Sequence, residues 1–158
     1  MRDQVLASLR DAFAGTAKAS IAQGTLVLEV APPDVIDAGT RLRRDFGFDL
    51  LLDVTAVDWP ARALRFDVAW HFYSTTQRVR ARLRTAVAEA TPEVASLTGL
   101  YGSAGFMERE CHDMYGIRFV GNDDLRPILL YEGFVGHPLR KDYAKEHEQP
   151  LVRYRDGA

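Results

Sequence analysis

The densest run of chemically capable side chains is Phe106-Met107-Glu108-Arg109-Glu110-Cys111-His112-Asp113-Met114-Tyr115-Gly116-Ile117. Three carboxylates, a guanidinium, a thiol and an imidazole stand in succession from Glu108 to Asp113. Such a set could move protons, hold a metal, or form ion pairs within a fold or at an interface. Read as a helix, it places Glu108 one turn before His112 and Arg109 one turn before Asp113. Met107, Met114 and Ile117 fall on another side, with Tyr115 near its edge. Gly116 is a natural stop, because glycine takes the left-handed conformation that ends many helices.

Each chemistry competes with a plainer role. His71, His112, His137 and His147 stand at no recognised zinc spacing to one another or to Cys111. Glu108 and His112 make only two ligands, and support of the helix accounts for both. Cys111 and His112 form no dyad, because neighbouring helical residues point about 100° apart. A distant histidine such as His137 could meet Cys111 in space, although a lone cysteine is more often a small packed thiol. Glu108, Glu110 and Asp113 have no second carboxylate cluster to share acid–base work with. Tyr101-Gly102-Ser103-Ala104-Gly105 lacks the glycine spacing of a phosphate loop. The stripe Arg78, Arg80, Arg82, Arg84 has no interleaved aromatics and reads as a solvated or partner-facing strand, not a nucleic-acid surface. No catalytic, cofactor-binding or metal-ligating set therefore emerges.

Composition narrows the classes further. The chain has 158 residues, 47% hydrophobic and 27% charged, with a formal net charge of -2. These values suit one globular domain with a sizeable core and no overall basic field. The single cysteine excludes an internal disulfide and fits a reducing compartment. It also excludes an iron–sulfur cluster held by this chain alone, which takes about four thiolates. The first residues carry no apolar leader, and no run approaches the ~20 apolar residues of a membrane span. The expectation is a cytoplasmic protein that reaches a membrane only through partners.

The positioning elements follow from periodicity. Residues 3–14 read as a helix with Val5, Leu6, Leu9, Ala12 and Phe13 on one face. Two short strands at 19–23 and 25–30 flank a turn at Gly24, with Leu26, Leu28 and Val30 alternating as a half-buried strand would. A second helix opens after Pro32-Pro33, with Asp34 as N-cap and Val35, Ile36, Gly39, Leu42 and Phe46 inward; Gly47 ends it. Strands at 48–58 and 64–73 pair antiparallel across a loop containing Pro60. In the second, Leu64, Phe66, Val68, Trp70 and Phe72 all face one way. Residues 77–90 fit either a strand with its arginines on one face or a helix. Residues 93–101 read as a connector, and Ser103 as the N-cap of the helix that follows and runs through about Tyr115. The predicted fold is α+β in the order α-β-β-α-β-β-β-α, with helices on one face of a mainly antiparallel sheet.

The pattern changes at Gly121, so the expected organisation is an α+β domain over 1–120 and an extended C-terminal arm over 121–158. Glycines and prolines break every period there, yet Leu125, Ile128, Leu129, Leu130, Tyr131, Phe134, Leu139, Tyr143, Leu151 and Tyr154 are too apolar for a solvated tail. The arm reads as a segment that packs against a partner protein. A good core, no self-sufficient active site and such an arm describe one part of a larger assembly better than a free-standing enzyme.

Several segments carry a resemblance. Glu108-Arg109-Glu110-Cys111-His112-Asp113-Met114-Tyr115-Gly116-Ile117-Arg118-Phe119 resembles one family signature, and Gly136-His137-Pro138-Leu139-Arg140-Lys141-Asp142-Tyr143 resembles a second. Asp124-Leu125-Arg126-Pro127-Ile128-Leu129-Leu130 matches between them, and Leu52-Asp53-Val54-Thr55-Ala56-Val57-Asp58 resembles the family's first long strand. The family is the C subunit of the proton-pumping NADH–quinone oxidoreductase, respiratory complex I. The resemblance implies a peripheral-arm subunit on the cytoplasmic side of the inner membrane that binds no redox cofactor itself. FMN, iron–sulfur clusters, NADH and quinone belong to the rest of the complex. Its implied partners are the subunit forming much of the quinone cavity and other peripheral-arm iron–sulfur subunits. It implies buried or interfacial ion pairs by Glu108, Arg109, Glu110 and Asp113, with Arg126 also at the interface and His137, Arg140, Lys141 and Asp142 anchoring the arm. It favours a strand over 77–84 and looks like the short, unfused form. Three positions depart from the pattern. Asn122 stands in place of a usual histidine, Phe106-Met107 where an aromatic residue, commonly Trp, precedes the signature, and His112 in place of an aromatic or aliphatic residue. They leave open the matching subunit of an energy-converting membrane-bound hydrogenase or formate hydrogenlyase. From another class, an independent protein-binding module and a cysteine-dependent enzyme are the alternatives.

Overall fold

A computed structural model of the protein describes residues 2–147. Positions 148–158 of the expected arm, including Leu151 and Tyr154, lie outside the described residues. Helix α1 (Arg2–Ala12) buries Leu6 and Leu9, with Phe13 buried just past its end. Strands β1 (Lys18–Ala22) and β2 (Thr25–Glu29) pair antiparallel across Gln23 and Gly24, at φ 50° and 69°. Two successive positive φ values are what a tight hairpin needs, so the turn predicted at Gly24 is present. In β2 Leu26 and Leu28 are fully buried, as the alternation predicted, and Val27 on the opposite face is also nearly buried, flanked by Ser20 of β1 and Arg82 of the strand on its other side.

Helix α2 (Val35–Arg44) follows a single helical turn at Pro32–Asp34. Asp34 occupies the N-cap position, but its carboxylate makes no capping bond. The inward face is Val35, Ala38, Gly39 and Leu42, whereas Ile36, predicted inward, is 46% exposed. Strands β3 (Leu50–Asp58) and β4 (Phe66–Ser74) form the predicted antiparallel pair. Phe66, Val68, Trp70 and Phe72 are fully buried, while Leu64 lies in the hairpin loop and is exposed.

The ambiguous stretch is a strand, β5 (Val79–Val87). It pairs antiparallel with β4 from Phe66↔Val87 to Ser74↔Val79, and parallel with β2 from Thr25↔Arg80 to Glu29↔Arg84. A helix there would have left the backbone groups of both neighbours without partners. Val79, Ala81 and Leu83 face the core, and Arg80 and Arg82 face away; Arg78 lies in the preceding turn at φ 55°. The sheet order is β1-β2-β5-β4-β3. One core joins its inward residues to α1, α2 and the helix α3 (Ala104–Tyr115).

Two strands were not foreseen. β6 (Glu93–Ala95) and β7 (Arg118–Val120) make a parallel pair that buries Val94 against Phe119. Three residues are too few to show a period. Ser103 sits at the start of α3, but its hydroxyl bonds the Leu51 carbonyl instead of capping the helix. Gly116 closes α3 as predicted, at φ 74° with its N–H on the His112 carbonyl. No helix among the described residues is long and apolar enough to cross a membrane.

Candidate functional site

Helix α3 directs its polar groups to three places. Glu108 points into the domain and is fully buried. Its carboxylate accepts bonds from Ser96 Oγ at 2.7 Å, the Leu97 N–H at 2.8 Å and Asn122 Nδ2 at 3.0 Å. The expected ion pair is replaced here by three neutral donors, which tie α3 to the ends of β6 and β7. Burial pushes the Glu108 carboxyl above its ordinary range, with the three bonds opposing the shift.

Arg109 and Asp113, one turn apart, both reach the arm. Arg109 donates to the Arg126 and Pro127 carbonyls, each at 2.9 Å, and lies 3.8 Å from Asp124. Asp113 Oδ2 accepts the N–H groups of Ile128, Leu129 and Leu130 at 2.7, 3.0 and 3.4 Å. Successive amides around one carboxylate form an anion-binding nest. One side chain thus takes the arm's carbonyls and the other its amides. Arg126 itself is exposed and paired with Asp124, whose carboxyl it holds well below the usual range. Glu110 is exposed and joins none of these contacts.

The second signature caps the C-terminal end of α3. His137 Nδ1 donates to the Asp113 carbonyl at 2.9 Å, the Leu139 N–H to Met114 at 3.1 Å, and Arg140 Nε to Tyr115 at 2.6 Å. The last carbonyls of a helix have no partner within it, and a cation there also meets the negative end of the helix dipole. The Arg140 guanidinium lies 5.0 Å from the centre of the Phe66 ring. Gly116 makes this fit possible, because a Cβ there would come within 2.5 Å of His137 Nε2 and 2.6 Å of Arg140 Nη2. His112 donates to the Ile117 carbonyl and sits edge-on to His137 at 6.2 Å.

Lys141 and Asp142 reach a network that sequence reasoning missed. Arg65, with its side chain 6% exposed, makes a two-pronged pair with the fully buried Asp58 at 2.7 and 2.8 Å. It also pairs with Glu89 at 2.6 Å and Asp142 at 2.8 Å. Lys141 contributes its backbone N–H, which donates to Asp58 Oδ2 at 2.7 Å, and not its ammonium. Hydrogen bonds from Arg65 hold Asp58 and Asp142 below the usual carboxylate range. The only sequence signal was a charge on either side of the β3–β4 loop; Glu89 and Asp142 lie 24 and 77 residues beyond Arg65.

Cys111 is buried, and burial lifts its thiol well above the ordinary range, so it is not poised as a nucleophile. Among the described residues no three His, Cys, Asp or Glu side chains converge as a ligand set. The arrangement is a joint: α3 and the Arg65 network clasp the described part of the arm from both ends. Leu129, Val135 and Leu139 of that arm stay exposed, as does Phe106 of α3.

The same residues are covered by a family profile. The sequence profile of the family described as "Respiratory-chain NADH dehydrogenase, 30 Kd subunit" matches residues 28–149, and so takes in both signatures and the Asp58–Arg65 hairpin. The chain belongs to that family. Within it, the NADH-quinone oxidoreductase C subunit of Rhodopseudomonas palustris is 46% identical over 132 residues, covering 82% of this chain and 66% of the relative. The C subunit numbered 1 of Rhizobium etli is 45% identical over 144 residues, covering 90% and 71%. That of Agrobacterium fabrum is 49% identical over 127 residues, covering 79% and 63%. The chain thus spans roughly two thirds of the length of these family members. Among solved structures, a trypsin-resistant fragment of Nqo5 superposes with a TM-score of 0.66 at 28% identity, covering 79% of this chain and all of that one. A protein of an archaeal respiratory membrane complex, the membrane-bound sulfane sulfur reductase, superposes with a TM-score of 0.80. It covers 100% of this chain and 99% of that one at 19% identity, and shares the fold.

Proposed function

We propose that the chain is a non-catalytic peripheral-arm subunit of a proton-translocating NADH–quinone oxidoreductase. In this reading it binds no redox group itself. FMN and the iron–sulfur clusters that carry electrons from NADH to quinone reside on other subunits, in keeping with the one buried cysteine here. It sits peripherally on the cytoplasmic side of the inner membrane. Its partners are the subunit that forms the quinone cavity and neighbouring iron–sulfur subunits.

One observation carries the reading. In a member of this family, six signature side chains spend their polar groups inside the chain, on residues beside β6 and β7, on the arm's backbone, on the C-terminal end of α3 and on Arg65, while apolar side chains of the arm face outward. Residues that do chemistry on a substrate would instead present free polar groups to a pocket. Glu108, Arg109, Asp113, His137, Arg140 and Asp142 therefore hold a docking arm in shape.

The test is Arg140→Ala in the native complex. Loss of the Tyr115 bond and the Phe66 contact frees the arm, so the yield of intact complex and its quinone reductase activity should fall together. The isolated chain should keep its fold. Normal complex yield and activity would overturn the proposal. Co-purification with an NADH-binding flavoprotein separates this reading from the matching subunit of a membrane-bound hydrogenase or formate hydrogenlyase. Recovery of the protein alone, as a stable monomer, would favour an independent binding module.

A further inference from the structure

The three helices share one face of the five-stranded sheet, and no described helix covers the other. β5 lies at the centre of that open face, flanked by β2 and β4. Its outward side chains are Arg80, Arg82 and Arg84. Arg84 is paired with Glu29 at 2.6 Å. Among the described residues, Arg80 and Arg82 have no carboxylate partner, and both are exposed. Their cross-strand neighbours are not acidic: Thr25 and Tyr73 flank Arg80, and Val27 and His71 flank Arg82. Val27 and Ala69 are already nearly buried on this face. The positive potential is felt locally, since burial together with Arg82 and Arg80 holds the His71 imidazole below its ordinary range against the opposing pull of Asp53.

A chain with a net charge of -2 has thus placed two unpaired cations at the centre of a partly apolar sheet face. We infer that this face receives an acidic helix of a neighbouring subunit, laid along β5 with its carboxylates on Arg80 and Arg82. The spacing suits that occupant. Alternate residues of a strand are about 6.7 Å apart, and helix residues i and i+4 rise about 6 Å, so one carboxylate can meet each guanidinium. A helix on this side would also complete a second layer, the usual way a sheet is covered. This surface is separate from the clasped arm, and the inference goes beyond the docking role proposed above.

The test replaces Tyr73, which lies on this face beside Arg80, with the photo-cross-linker p-benzoylphenylalanine in the full chain within the native complex. The expected product joins Tyr73 to a peptide of another subunit with carboxylates four residues apart. Arg80→Glu with Arg82→Glu should lower the cross-link yield about tenfold or more, and arginines at the mapped carboxylates should restore it. Both arginines are exposed, so thermal unfolding of the double variant should match the wild type. Should that variant fail to fold, the cross-link in the wild-type arginine background must still weaken as salt rises from about 0.05 to 0.5 M. Four results overturn the inference: a cross-link to a peptide without acidic residues, one to a second copy of this chain, one to nucleic acid, or none in the intact complex. Failure of Arg140→Ala to disturb assembly bears on the arm alone. Loss of the Tyr73 cross-link with assembly intact bears on the sheet face alone.

Discussion

Asp58→Asn probes the joint between domain and arm most directly. The native carboxylate is fully buried, accepts two bonds from Arg65, and accepts a third from the Lys141 N–H. Asparagine keeps the shape but has one acceptor oxygen, so its amide NH2 must face either the guanidinium or the backbone donor. Breaking a buried ion pair by removing one partner costs about 3–5 kcal/mol. Arg65 would retain Glu89 and Asp142, whose side chains are 54% and 56% exposed. Its charge is therefore not left bare, which places the cost at the lower end, about 3 kcal/mol. For a chain of this size that lowers the melting temperature by roughly 6–12 °C. Urea unfolding of the full chain at pH 7 reads the loss, and hydrogen exchange at the Lys141 amide reads the local opening. The pH dependence gives a second check. Arg65 depresses the Asp58 pKa in the fold, so the wild-type carboxylate contributes fully above its unfolded value of about 3.9. That contribution is lost as pH falls through the lower folded value. The gap between wild type and variant should hold steady above about pH 5 and close on acidification. An unchanged urea midpoint at pH 7, or a gap that widens toward acid, would refute this account of the joint.

Gly116→Ala should cost about 1–2 kcal/mol for the left-handed backbone alone, and displace His137 and Arg140, whose side chains a Cβ would strike. Limited proteolysis should then cut the arm faster. Gly47→Ala is the control, at φ 66° with nothing within 4 Å of its built Cβ, and should show the backbone cost without the exposed arm. Glu108→Ala leaves the buried Leu97 N–H unpaired and opens a cavity, for a loss of about 3 kcal/mol or more by chemical denaturation. Glu108→Gln should cost less. The native Glu108 pKa is raised in the fold, so wild-type stability falls as pH climbs from the unfolded toward the folded value, and the Gln variant should lack that slope.

Where a residue's role depends on near neighbours in the chain, the sequence was enough. The alternation of Phe66, Val68, Trp70 and Phe72 placed β4 and its buried face, because a strand's side-chain period of two is set by the backbone itself. Gly116 announced the end of α3, and Gly24 a hairpin, because few residues tolerate positive φ. The order of the main elements followed, as did the absence of any zinc-like spacing among the histidines. Residues 77–90 mark the boundary of this kind of reading. Both periods fitted, and the free edges of β2 and β4 selected the strand.

Tertiary structure alone decided who partners whom. The spacing set Glu108 one turn before His112 and Arg109 one turn before Asp113, yet Glu108 turns inward to Ser96, Leu97 and Asn122, while Arg109 and Asp113 reach the arm's backbone. Arg65 and Asp142 are 77 residues apart in sequence and meet only because the β3–β4 hairpin and the returning arm share one end of the core. The short strands β6 and β7 exist only as a pair. Local conformational preference acts over a few residues and leaves a pattern in the chain. A buried polar group must find a partner wherever the fold brings one, and its neighbours in sequence carry no record of which partner that is.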